Sequence, residues 1–372
     1  MGRLTRRRLL GTAAAAATTS YLAPLFGTNG SLVIDDALEL LAKTGPEYHG
    51  GLANHGPMAA EALVALGRPG AVVPWVERYR RRLEGRPSGT RPIAGDVWRE
   101  ALGARDRVGD WIPFFRRRVE ERAWREVVSE WVPRLSPGIV AAAFHGVIRT
   151  AHAARSLATT ETALRRFELA EGLAYWAANY ATFPESRARA PAGRLPSRAL
   201  GDVPAVPPGL RVLDGNITER LGPVQRFEPF ATVADSVDTS GEPSLFLSDL
   251  TETFAGVFLA SVPPGSLITF IHGLTGPSAL RLLLPHLDAP AKAEALRHAW
   301  QGAAALYSAF GGAAPALHAA GPPPHPDDLI DDAIATADEH AIKFTEACQR
   351  EHAVNPKPVY LLAARRAVER LS

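Results

Sequence analysis

From Ile34 onward, apolar residues recur with the period of an amphipathic helix. Within Ile34–Lys43, positions 34, 37, 38, 40, 41 and 42 are apolar, which makes one broad face. Gly45-Pro46 ends that run, and Pro57 opens a second helix, Met58–Gly67, at its first turn. Trp75–Leu83 reads as a third helix, ending in an arginine run that suits a solvated face. The same periodicity predicts helices over Ile112–Val132, Pro137–Leu157, Thr160–Ala181, Leu245–Ala260, Leu267–Leu287, Ala291–Phe310, Pro326–Glu351 and Pro358–Leu371. Alternating strand patterns are scarce, and nothing repeats at a fixed period. The pattern therefore predicts an all-α protein: a single large helical domain over residues 32–372.

One stretch breaks the pattern. Phe183–Val224 is rich in Pro, Gly, Arg and Ala and is long for a structureless loop. It reads as a surface excursion or lid at 183–224. Phe167, Tyr175, Trp176 and Tyr180 form an aromatic stripe at helical spacing just before it, a pattern that belongs to a core more often than to a cofactor box.

The N-terminus reads differently. Thr5-Arg-Arg-Arg-Leu-Leu-Gly11, followed by an alanine-rich stretch, resembles a twin-arginine export signal. Residues 1–31 are expected to be either such a leader or an extension of a cytoplasmic protein. The apolar stretch is too interrupted to span a membrane.

Composition narrows the chemistry. A net charge of +2 gives no reason to expect nucleic acid. A lone cysteine, Cys348, excludes an internal disulfide and the paired-cysteine zinc patterns. The sequence has no G-x-G-x-x-G after a strand, no P-loop and no G-x-S-x-G elbow. Any metal must then sit on histidine, carboxylate or modified lysine.

Eleven histidines are available. His55 stands at a helix entrance, in Asn54-His55-Gly56-Pro57. His145 and His152 are two helical turns apart on an apolar face. His272 ends a strongly apolar run and, like His145, is followed by glycine. His340 and Lys343 are three residues apart, so they share a helix face. Lys343 is one of only four lysines among 41 basic residues. An arginine cannot form a carbamate with carbon dioxide, whereas a neutral lysine amine can; the plainer reading is a snorkelling lysine. His286, His298, His318, His325 and His352 fall near helix ends or Pro-rich turns and read as solvent-facing or caps. Histidines on apolar faces of different helices suit a metal site inside a bundle. Imidazole ligands with little thiolate leave zinc, iron, copper and nickel open.

Five segments carry a resemblance: Gly45–Leu63, Ala143–His152, Glu171–Ala177, Ile271–Pro277 and Asp338–Lys343. In this order they resemble the questin oxidase-like family, from about residue 33 to the end. The resemblance implies an all-helical fold and oxidative cleavage of polycyclic aromatic, anthraquinone-like substrates by dioxygen. It further implies a mononuclear non-haem Fe(II) held by His55, His145, His272 and His340, with Lys343 as a carbamate ligand and Thr275 hydrogen-bonded to it. His152 and His49 are reserve ligands. The expected partners are a small aromatic substrate and dioxygen, with no nucleic acid and no membrane span. Two other readings stay open: a metal-free, NADPH-dependent Baeyer–Villiger-type monooxygenase, and a non-catalytic helical binding protein. Ligand chemistry alone also permits a zinc hydrolase.

Overall fold

The structure, a computed structural model, describes residues 28–186, 193–261, 266–316 and 321–372. Residues 1–27, which fall in the segment expected to be an export leader or an extension, part of the excursion and His318 lie outside the described residues. Fifteen α-helices are present among those described. The first three are α1 (Thr28–Leu41), α2 (Gly56–Ala65) and α3 (Val72–Tyr79). A short antiparallel hairpin, β1 (Glu47–Tyr48) and β2 (Leu52–Ala53), lies between α1 and α2. Next come α4 (Val108–Glu121), α5 (Trp124–Leu135), α6 (His145–Thr159) and α7 (Ala163–Ala178). Two short helices, α8 (Pro196–Ala199) and α9 (Ile217–Leu221), interrupt the excursion. The chain ends with α10 (Pro243–Ala260), α11 (Leu267–Leu283), α12 (Ala289–Phe310), α13 (Pro326–Ala335), α14 (Glu339–Val354) and α15 (Pro358–Leu371). The expected all-α single domain is what forms.

The starts of these helices follow local chemistry. Side chains of Thr162, Asp288 and Asp338 accept first-turn N–H groups of α7, α12 and α14. One large core, rich in tryptophan and phenylalanine, joins α4 to α7 with α10, α11, α12 and α15. A smaller apolar cluster seats α1, α2 and α3 against Ile330 and Ile342. The helices α6 and α7 approach closely because two glycines allow it. A Cβ on Gly146 would lie 2.7 Å from Trp176 Cα, and one on Gly172 would lie 2.9 Å from the Thr150 backbone nitrogen. Arg149 of α6 and Glu168 of α7 then pair through two hydrogen bonds of 2.6 and 2.7 Å. Only the helix within Leu267–His286 is long and apolar enough to cross a membrane among the described residues. Other helices bury 83% of that apolar window.

Three expected helices are divided. The run 112–132 breaks at Arg122 and Ala123, whose extended backbone lets Trp124 turn into the core. The run 326–351 breaks at Ala337, a left-handed residue with φ 57°, and restarts at the Asp338 cap. The run 137–157 becomes helical only at His145, after a 3-10 turn and three left-handed residues. The irregular excursion runs past 224 into 3-10 turns that end at Ser236.

Candidate metal centre

Four helices bring the site together. His55 is the cap residue of α2, immediately after the hairpin. Its neighbour Asn54 fixes the approach, donating to Gly45 O at 2.8 Å and accepting from the Gly56 N–H at 2.9 Å. The His55 N–H itself donates to Tyr79 Oη, 2.7 Å away on α3. His145 is the first residue of α6, His272 lies inside α11, and His340 is in the first turn of α14.

One ring nitrogen from each of these four residues lies within 4.8 Å of every other. His145 Nε2 is 2.7 Å from His55 Nε2 and 3.0 Å from His272 Nε2. The rings stand edge to face, with centroids 4.5 Å apart for His145 and His272 and 4.7 Å apart for His55 and His340. His55, His145 and His272 are buried, and His340 is nearly so.

Hydrogen bonding sets the tautomers. His145 Nδ1 faces the Ala142 carbonyl, and His272 Nδ1 faces the Ile268 carbonyl at 2.8 Å. A carbonyl only accepts, so each Nδ1 carries the proton and each neutral Nε2 presents a lone pair. Two bare lone pairs then face each other across 3.0 Å. Protonating either ring would relieve the repulsion. However, burial first, and then the Lys343 and histidine charges nearby, push His145 and His272 well below the ordinary imidazole value. His55 is lowered in the same way. A bound cation satisfies the converging lone pairs where a proton does not, so the donor set fits a transition-metal ion.

The surroundings also suit a metal. His55 Nδ1 has no hydrogen-bond partner among the described residues and faces Glu339 Oε1 at 3.8 Å. Arg82 holds the other Glu339 oxygen at 2.7 Å and lies over the Tyr79 ring, 4.2 Å from its centroid. A carboxylate behind a ligand imidazole orients the ring and raises its basicity. Lys343 is buried one turn beyond His340, and its charge reaches His55, His145 and His272. Burial pulls its amine down to about 7, against the opposing influence of Glu339 and Asp338. Near neutral pH the amine is therefore partly uncharged and nucleophilic.

Other histidines fall elsewhere. His152 Nδ1 bonds Glu61 Oε2 at 2.6 Å, in a charge network two turns from His145. His49 is exposed in the hairpin, where its N–H donates to Glu84 at 2.7 Å. His325 caps α13, as expected. His298 is not solvent-facing: it is buried within α12 beside Gln301, Glu185 and Glu294. Thr275 Oγ1 donates to Ile271 O at 3.0 Å within its own helix. Tyr175 and Trp176 are buried, with Tyr175 Oη donating to Glu47 at 3.0 Å. The sequence reading missed Glu339, Tyr79 and Arg82. Glu339 sits beside the Asp338 cap, and Arg82 belongs to the arginine run read as solvated.

The fold thus presents a buried cluster of four imidazoles inside a helical bundle. The profile of the questin oxidase-like family matches residues 53–240, just over half of the chain, and the chain belongs to that family. The matched interval includes His55 and His145; His272, His340 and Lys343 follow it. The family points to oxidoreductase chemistry of the oxygenase kind, acting on a small molecule. No curated protein matches the chain.

Proposed function

We propose that this chain is a non-haem iron oxygenase that cleaves polycyclic aromatic, anthraquinone-like substrates with dioxygen. One observation carries the reading: the Nε2 lone pairs of His145 and His272 face each other at 3.0 Å in a site where burial opposes protonation. His55, His145, His272 and His340 are the residues that would hold the ion. Iron supplies the one-electron chemistry by which dioxygen reacts with a closed-shell phenol or enol.

The chain's own groups do the rest. The carbonyls of Ala142 and Ile268 keep two imidazoles in the ligating tautomer. Glu339, held by Arg82, stands behind His55. Surrounding helices exclude bulk water, which strengthens every polar interaction inside. Lys343 is assigned as the carbamate ligand. Its neutral amine adds to carbon dioxide, an N–C bond forms, one proton leaves, and an anionic oxygen donor results. The Thr275 hydroxyl, which donates to the Ile271 carbonyl, would be the group to hydrogen-bond that carbamate.

The test is oxygen uptake with a hydroxylated anthraquinone, using full-length protein carrying or lacking iron. Uptake that requires iron and is lost in His272→Ala is expected. Uptake by metal-free protein that strictly requires NADPH would overturn this reading in favour of a Baeyer–Villiger-type monooxygenase.

A further inference from the structure

The residue before His145 is held in an unusual way. Ala142, Ala143 and Phe144 have φ values of 47°, 56° and 68°, and none is glycine. Each occupies the left-handed region that a Cβ disfavours. Three such residues in succession persist only where the surroundings over-determine them. Here the determinant is the Phe144 side chain, which is fully buried. Its ring fills a notch between two helices. A Cβ on Gly276 of α11 would lie 2.3 Å from Phe144 Cγ, and one on Gly302 of α12 would lie 2.7 Å from Phe144 Cζ. No L side chain fits at either position while the ring stays in place.

The notch and the metal centre share a helix face. Gly276 is four residues after His272, so both project toward α6 from one side of α11. The turn that the ring anchors delivers the Ala142 carbonyl to His145. That single oxygen accepts from the His145 backbone N–H at 3.2 Å and faces His145 Nδ1 as well. Immediately after His145 in the chain, Gly146 lies against Trp176 of α7. His145 is thus held between a wedge before it and a close helix contact after it.

We infer that Phe144 is a positioning residue of the metal centre: wedged between Gly276 and Gly302, its ring holds the left-handed turn Ala142–Phe144 and so fixes the tautomer and aim of His145. The role rests on the reading of the four histidines as a metal site. It also assigns a purpose to Gly276 and Gly302, which leave the space the ring occupies.

The experiment uses the full chain and cobalt(II) as the probe, read by its ligand-field spectrum. Tautomers are read in metal-free protein by nitrogen-15 NMR of labelled histidines. Phe144→Ala is expected to keep its helical circular dichroism yet bind cobalt(II) about 10- to 100-fold more weakly. His145 is then expected to shift from the Nδ1–H tautomer to a mixture. Gly302→Ala is expected to weaken cobalt(II) binding too. Adding Phe144→Leu, which removes the ring atoms that the new methyl would meet, restores most of it. A folded Phe144→Ala variant with wild-type affinity and an unchanged His145 tautomer would overturn the proposal. If Phe144→Ala does not fold, the glycine arm decides: undiminished binding in Gly302→Ala, or no recovery in the double variant, overturns it. Wild-type protein that binds no cobalt(II) defeats the metal site, and the tautomer measurement still judges the wedge.

Discussion

His152 Nδ1 and Glu61 Oε2 lie 2.6 Å apart, outside the cluster of His55, His145, His272 and His340. Arg155 donates to Glu61 as well, through Nε at 2.6 Å, and also pairs with Glu346. Arg350 continues the chain to Ser278 at 3.1 Å, and Ser278 donates to Glu351 at 2.6 Å. These residues belong to α2, α6, α14 and α11, the four helices that supply the histidines. A layer of charged and polar groups therefore ties the same four helices together about two to three turns from the histidines.

Removing one member of such a layer leaves its partner charged with fewer groups to compensate it. Glu61→Ala is expected to destabilise the protein by about 2 to 4 kcal/mol in urea unfolding, because Arg155 keeps only Glu346 as a carboxylate partner and His152 loses its hydrogen bond. A loss below about 1 kcal/mol would show that the layer carries little.

The same carboxylate predicts a pH dependence. Burial raises the Glu61 value, but Arg155 and His152 outweigh it and hold the group at about 2, against 4.5 unfolded. A depressed carboxylate contributes stability that is complete above the unfolded value and is lost as pH falls toward the folded one. The stability gap between wild type and Glu61→Gln is therefore expected to narrow by up to about 3 kcal/mol from pH 5 to pH 2. A gap that stays constant over this window contradicts the assignment.

Behind His55, Glu339→Gln keeps the size of the side chain and removes its charge. Metal affinity, measured by competition with a chelator, is expected to fall about 10- to 100-fold. Unfolding of the metal-free protein should change much less, since Arg82, the partner of Glu339, is partly exposed. Unchanged affinity would remove Glu339 from the account.

The left-handed turn offers a test whose sign decides. Ala143 has φ 56°, which costs a non-glycine residue about 1 to 2 kcal/mol. Ala143→Gly removes that cost and loses part of the gain to unfolded-chain entropy, so a net stabilisation of about 0.5 kcal/mol or more is expected. An ordinary Ala-to-Gly loss would mean the turn is unstrained.

Most of the helices were legible because their apolar faces are periodic, and so were the four histidines that converge. The divisions were not. Ala141, Ala142 and Ala143 are good helix formers, and only tertiary packing of Phe144 against Gly276 and Gly302 forces the backbone away from the helix. His298 sits in the middle of α12, where Glu294 and Gln301 one turn away on the same helix face give it polar company, but Glu185, from a distant part of the chain, has no local signature. Arg82 looked like its neighbours in the arginine run, and its pairing with Glu339, 257 residues away in sequence, has no local signature. Convergence itself was the step that spacing could not provide, since α2, α6, α11 and α14 meet only in the fold.

Lys343→Arg preserves charge and bulk but cannot form a carbamate. Protein grown with carbon-13 bicarbonate is expected to show a carbamate resonance in wild type and none in the variant, with weaker metal binding in the variant. Equal metal binding in both would leave Lys343 as a buried cation and no ligand.

The most direct measurement is the metal content of full-length protein produced in minimal medium with iron and zinc both present. One iron per chain is expected, falling to near zero in His145→Ala and His272→Ala while both variants keep their helical circular dichroism. Wild-type protein that carries no metal, or variants that retain iron at the wild-type ratio, would contradict the account.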